Sequence, residues 1–189
     1  MSGLVPAGCD VRCAVNVDWC ELATPFGPLH LAATDVGVVG VWFGAADEAL
    51  AALARDLGQV RFVENGPHVA AARTQVEEYL RGERLAFDLA LDWRRSKGFR
   101  LRVLQELASV PFGVTVSYGE LARRCGSPSA TRAVGSAMAN NPLPVIVPCH
   151  RGVRTGGAIG GFAGARNAID TKQWLLTHEG VLTPFAATR

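Results

Sequence analysis

The stretch L-P-V-I-V-P-C-H-R, Leu143 to Arg151, is the one around which this 189-residue chain is organised. Val145-Ile146-Val147 is a β-branched apolar run of strand length, bounded by Pro144 and Pro148. Pro148 has a fixed φ and no N–H, so a ladder stops there and hands the chain on to Cys149. The thiol is followed at once by an imidazole, His150, and a guanidinium, Arg151. A cysteine at a strand end is most often a small buried hydrophobe. The rest of the chain has to decide whether this one is a nucleophile.

Length and 49% hydrophobic content supply one medium domain or two small ones, with ample core. No apolar run is long enough to span a bilayer. The first ten residues have neither a basic n-region nor a long h-region, so a cytoplasmic protein is expected. Five cysteines (Cys9, Cys13, Cys20, Cys125, Cys149) are odd in number and irregular in spacing, which argues for a reducing compartment over a disulfide framework. C-x3-C-x6-C with His30 matches no standard zinc spacing; no metal and no cofactor is expected.

The net charge of +2 hides a division. Residues 1–93 carry six Lys/Arg against thirteen Asp/Glu, whereas residues 94–189 carry thirteen against four. A basic half with few carboxylates is the footprint of a polyanion, because phosphate contacts release counterions. Nucleic acid is therefore the expected partner. The charge change also sets a domain boundary near Trp93, with R-R-S-K at 94–97 as the junction.

Residues 1–14 carry no fold signal and are expected to be disordered. Trp19 to Thr24 and Leu29 to Ala33 flank Pro25-Phe26-Gly27-Pro28 as a hairpin, and Val36 to Phe43 reads as a third strand. Helices are predicted over 46–57, ending at Gly58, and 69–80; short strands are predicted over 60–63 and 85–91. This half reads as an α+β scaffold domain, a small antiparallel sheet with helices. The second half reads as mainly helical. Phe99, Val103, Leu104 and Leu107 mark one helix face, ended by Pro111 and Gly113. Ser117 and Glu120 form a capping box opening a helix to Arg124. After Gly126-Ser127-Pro128, Ser129 is the expected N-cap of a small-residue helix, Ala130 to Ala139, with Arg132 projecting. Two helices around a glycine turn in a basic half predict a helix-turn-helix. A glycine-rich loop, Arg154 to Gly164, lacks a phosphate-cradling G-K-[ST]. The last helix, 171–179, is flanked by Asp170 and Gly180. Glu179 falls at its C-terminal end, where the helix dipole disfavours a carboxylate, so it requires a local partner, with His150 the candidate.

Cys, His and a carboxylate are the parts of an activated nucleophile, the acid orienting the imidazole that draws the thiol proton. Neighbouring side chains on an extended segment point apart, so the proton would pass through a bridging water. Arg151 and the basic surroundings are expected to lower the thiol pKa.

P-C-H-R at 148–151 resembles the active-site signature of the O6-alkylguanine-DNA alkyltransferases, the methylated-DNA–protein-cysteine methyltransferases. The resemblance extends to S-Y at 117–118, R-A-V-G-x-A-M at 132–138, N-P-x-P at 141–144, G-A-I-G-G at 157–161 and W-L-L-x-H-E-G at 174–180, with a weaker T-P-F-G-P-L at 24–29. It is strong over residues 98–180. It implies an N-terminal α+β domain and a helical DNA-binding domain acting as a monomer on the minor groove of double-stranded DNA. The damaged guanine is flipped out and its alkyl group passes irreversibly to the cysteine. By that resemblance Cys149 is the acceptor and His150, a water and Glu179 activate it. Tyr118 donates a proton to the leaving guanine and helps rotate its phosphate, Arg132 fills the gap in the stack, and Asn141 links recognition helix to active site. Tyr118, Ser129, Ala130 and Arg151 join Arg132 at the DNA, and Met138, Pro144, Gly152, Phe162 and Ala163 form the pocket. The family's usual Tyr-Ser in the glycine loop is Phe162-Ala163 here, where only the Ala163 N–H could serve the guanine oxygen, and Gly152 replaces an aliphatic residue. Two other classes fit parts of the pattern. A lesion-binding sensor would not need the thiol, and a Cys–His–Glu hydrolase would leave the helix-turn-helix unexplained.

Overall fold

The computed structural model describes residues 14–154, 156, 158, 159, 162 and 168–183. The expected disorder of 1–14 thus falls almost wholly outside the described residues, as does Ala163. Four strands, β1 (Val15–Thr24), β2 (Gly27–Ala33), β3 (Val38–Phe43) and β4 (Val60–Glu64), form one sheet in the order β3-β2-β1-β4. The hairpin forms as predicted, with Thr24 opposite Gly27. The sheet is mixed, however, because β1 pairs parallel with β4. From the β3 edge the chain crosses through α1 (Ala46–Leu57) to the opposite edge, and a helical crossover returns the strand in the parallel direction.

Alternation along the strands divides the apolar side chains between two faces. Val17, Ala32 and Val39 pack with Leu53 of α1 on one face. Cys20, Leu22, Leu29 and Leu31 pack on the other against Val69, Ala72, Val76 and Tyr79 of α2 (Pro67–Leu80). That second cluster continues through Val103, Leu104 and Leu107 of α3 (Gly98–Ala108) to Met138 and Leu175. The strand expected over 85–91 reduces to a single parallel bridge, Val38 to Leu91. The chain passes β3 at one point only, so close that a Cβ at Gly37 (φ 149) would lie 2.3 Å from Ala90 O.

In the second half a 3₁₀ turn, Trp93–Arg95, precedes α3. A two-residue parallel pair, β5 (Val116–Ser117) with β6 (Gly152–Val153), lies among the helices. Ser117 Oγ accepts from Glu120 N at 3.1 Å and opens α4 (Tyr118–Arg124). Gly126, at φ 69, turns the chain toward α5 (Thr131–Ala139), which packs against α4 and α3. Ser129 does not cap α5. Ala130 N donates to Ser127 O, so the chain completes a turn first and Ala130 takes the cap position with no side-chain bond. The last helix, α6 (Ala168–His178), contains Asp170 in its first turn. Among the described residues no helix is long and apolar enough to cross a membrane.

Candidate active site

Leu143 to Val147 is not a strand. Prolines at 142, 144 and 148 withhold three N–H groups, and the segment coils on itself, with Val147 N donating to Leu143 O at 2.8 Å. Val145 sits at φ 74, a conformation that a β-branched residue adopts only under constraint. Asn141, 7% exposed, supplies that constraint: its Oδ1 accepts from Leu143 N at 3.0 Å and its Nδ2 donates to Val147 O at 2.8 Å. From outside, Val41 N on the β3 edge donates to Pro142 O at 2.8 Å. Pro148 (φ −80, ψ 67) then makes an inverse γ-turn, closed by Cys149 N on Val147 O at 2.8 Å. Cys149, His150 and Arg151 form one 3₁₀ turn. The thiol is thus fixed by a stack of backbone bonds clamped by Asn141, and has no accessible surface.

His150 Nε2 donates to Glu179 Oε1 at 2.8 Å, both residues being buried. A carboxylate can only accept, so Nδ1 is the imidazole's acceptor atom; it is buried without a described protein partner. Burial lowers the His150 pKa, against the pull of Glu179, and keeps the ring neutral and able to take a proton. Burial works to raise the Glu179 carboxyl, but hydrogen bonds from His150 and Arg151 outweigh it and the net shift is downward. Oε1 also accepts from Tyr79 OH at 2.7 Å and Arg151 Nη2 at 2.8 Å; Oε2 accepts from Arg151 Nε at 2.9 Å and Gly113 N at 3.1 Å.

Arg151 therefore does not lie at a DNA-facing surface. It is 6% exposed, paired with Glu179, and its Nη1 donates to Val110 O, so no guanidinium edge is left for a phosphate. Lys172 of α6 takes a place near the sulfur that the sequence did not suggest: it has no accessible surface and its Nζ donates to Gly152 O. Tyr79, from the scaffold half, was missed as well. A buried tyrosine hydroxyl demands a partner, and that was the available signal.

Tyr118, Met138 and Gly152 converge. A Cβ on Gly152 would sit 3.1 Å from Tyr118 Cε1 and 3.3 Å from Met138 Cε and Sδ, so the missing side chain lets both close in. Burial raises the Tyr118 pKa, the nearby Cys149 adds to it and Arg154 opposes it, so the phenol keeps its proton. Phe162 is buried, 5.7 Å from the Phe43 ring and 6.4 Å from the His150 ring. Pro144 lines a cleft of about 720 Å³ with Trp42, Asn141 and the cations Arg94, Arg95, Lys97 and Arg100; Cys149, Tyr118 and Met138 are not among its walls. Arg132 and Ser129 are exposed and Ala130 half-buried, at the start of α5. The other two described cysteines are poor nucleophiles: burial pushes Cys20 up to about 11 and raises Cys125.

An α+β chain that holds a sealed thiol beside a neutral, carboxylate-oriented imidazole belongs to the class of covalent nucleophile proteins. Comparison with known sequences narrows the class. The 6-O-methylguanine DNA methyltransferase DNA-binding domain matches residues 98–181, and the ribonuclease-like domain of the same proteins matches residues 19–93. The methylated-DNA–protein-cysteine methyltransferase of Mycolicibacterium paratuberculosis is 41% identical over 127 residues, 67% of this chain and 74% of that one. That of Methanosarcina acetivorans is 35% identical over 157 residues, 83% and 94%. Among solved structures, Mycobacterium tuberculosis OGT in complex with DNA superimposes with a TM-score of 0.71 at 31% identity, covering 86% of this chain and 93% of that one. The chain belongs to the methylated-DNA–protein-cysteine methyltransferase family.

Proposed function

We propose that this chain repairs DNA bearing O6-alkylguanine by moving the alkyl group onto Cys149, once per molecule. The observation that carries the reading is the buried Cys149–His150 turn with Glu179 hydrogen-bonded to the imidazole, in a segment matched by the family's DNA-binding domain. A thiol with no accessible surface meets a substrate only inside a pocket, which suits a base rotated out of the duplex and not one within the stack. In the reaction, His150 Nδ1 takes the thiol proton through a water and Glu179 stabilises the resulting imidazolium. The sulfur attacks the alkyl carbon, the S–C bond forms and the C–O6 bond breaks. Tyr118, held protonated, gives its proton to the departing guanine. The thioether has no route back, so each chain works once.

On the DNA side, α4 and α5 act as a helix-turn-helix at the minor groove. Arg132, exposed on α5, fills the gap left by the flipped base, with Tyr118, Ser129 and Ala130 beside it. Asn141 transmits the position of α5 to the turn that carries the sulfur. Met138 and Gly152 shape the pocket with Tyr118, while Pro144 and Phe162 support it. The division near residue 93 separates a scaffold half from this DNA-handling half, and the protein works as a cytoplasmic monomer. The test is a titration with excess duplex carrying one O6-methylguanine. Repaired guanine is expected to plateau at one per chain; continued turnover would indicate a hydrolase, and no repair would indicate a lesion-binding protein.

A further inference from the structure

We propose that Tyr79 is a positioning residue of the proton relay: its hydroxyl shares Glu179 Oε1 with His150 Nε2–H and so limits how tightly the carboxylate holds a proton on the imidazole. The inference rests on the role of His150 in alkyl transfer. Tyr79 lies on α2, in the half matched by the ribonuclease-like domain, whereas His150 and Glu179 lie in the half matched by the DNA-binding domain. The scaffold half thus sends one functional group into the relay.

Tyr79 has no accessible surface and is fixed from several sides. Its ring packs against Phe87 at 5.3 Å, Phe112 at 6.1 Å and His178 at 5.2 Å, and its carbonyl oxygen accepts from His178 Nε2 at 2.7 Å. A phenylalanine would fill the same space, so the hydroxyl is what needs a reason; burying it costs free energy unless it is hydrogen-bonded. It donates to Glu179 Oε1 at 2.7 Å. Burial and Glu179 both keep the phenol protonated, so it can only donate there. The same oxygen accepts from His150 Nε2 at 2.8 Å and Arg151 Nη2 at 2.8 Å. A carboxylate oxygen has two lone pairs, so three donors compete for its electron density. Arg151 is held independently, by Oε2 and by Val110 O, which leaves the competition between the tyrosine and the histidine.

The groups around the imidazole make that competition matter. On its own turn Cys149 precedes it, and Arg151 opposes its charged form; from α6, Lys172 opposes it as well. His178, beside Glu179, is turned to the Tyr79 carbonyl, and Tyr118 of α4 and Arg154 bear on the Cys149 side. Among the charged groups that act on His150, Glu179 alone favours the imidazolium. Whatever draws on Oε1 therefore acts directly on His150. Tyr79 helps to keep the ring unprotonated until the thiol proton arrives.

The experiment follows the ¹⁵N resonances of the His150 imidazole against pH in the full chain without DNA, assigned by comparison with His150→Gln. Tyr79→Phe should move the midpoint upward by about half to one pH unit, the usual net worth of one hydrogen bond. The acid limb of single-turnover transfer should move with it, so that transfer on that limb is roughly three- to tenfold slower while the rate on the plateau is kept. An unmoved or lowered midpoint, or a rate loss equal at every pH, would overturn the proposal and leave Tyr79 as packing. If Tyr79→Phe does not fold, the unsubstituted protein gives the reading: a slowly exchanging Tyr79 hydroxyl proton with a cross-peak to His150 Nε2–H supports the shared oxygen, and its absence overturns it. Because the titration needs no alkyl substrate, its outcome is separate from whether the chain repairs DNA.

Discussion

Glu179→Gln tests how the site is held together. The carboxylate receives Tyr79 OH, His150 Nε2 and Arg151 Nη2 on one oxygen, and Arg151 Nε and Gly113 N on the other. An amide keeps one acceptor oxygen and turns an NH₂ toward donors, and it strips Arg151, 6% exposed, of its counter-charge. Removing one partner of a buried pair costs about 3–5 kcal/mol, because the other charge stays buried. For a chain of this size that corresponds to a fall in Tm of roughly 10 °C. The pH dependence follows from the direction of the shift. The folded-state pKa of Glu179 is lowered, so its contribution is complete above the ordinary Glu value and is lost as pH falls through the lower folded value. Urea unfolding at neutral pH, repeated down to acid, should therefore show a large loss in the variant and a shallower acid decline. A change below about 1 kcal/mol at neutral pH, or an acid limb identical to that of the unsubstituted protein, would refute the reasoning.

Gly152→Val should push Met138 and Tyr118 outward, changing the ratio of benzyl to methyl transfer severalfold; an unchanged ratio would remove Gly152 from the pocket. Arg132→Ala should slow repair of duplex DNA at least about tenfold while sparing reaction with the free base, since only the duplex has a stack to fill; equal losses would refute the finger role. Asn141→Ala leaves Leu143 N and Val147 O without their buried partner, so it should cost about 2–4 kcal/mol in unfolding and slow transfer further than Tm alone explains. Normal transfer in the folded variant would show that the turn holds without its clamp.

Much of this arrangement could be read from the residues. The hairpin, α1, the Ser117 cap and the strained demand of Glu179 for a partner are local signals, set by periodicity, capping chemistry and the helix dipole. What was misread depended on distant contacts. β4 is parallel because α1 crosses the sheet, which strand propensity cannot show. Val145-Ile146-Val147 has strand composition, yet flanking prolines and the Asn141 side chain coil it. The resemblance put Arg151 at the DNA, and its place next to the thiol suggested a cation for the sulfur; only the fold brings Glu179 and Val110 to it. Tyr79 and Lys172 reach the site from α2 and α6, and no spacing in the sequence marks them.

The central claim is that Cys149 accepts the alkyl group. After incubation with duplex DNA containing O6-methylguanine, the protein is digested and its peptides are weighed by mass spectrometry. One added methyl group is expected on the peptide that holds Cys149, with the Cys20 and Cys125 peptides unmodified. A methyl group on either of those, or repaired DNA with no methylated peptide, would contradict it.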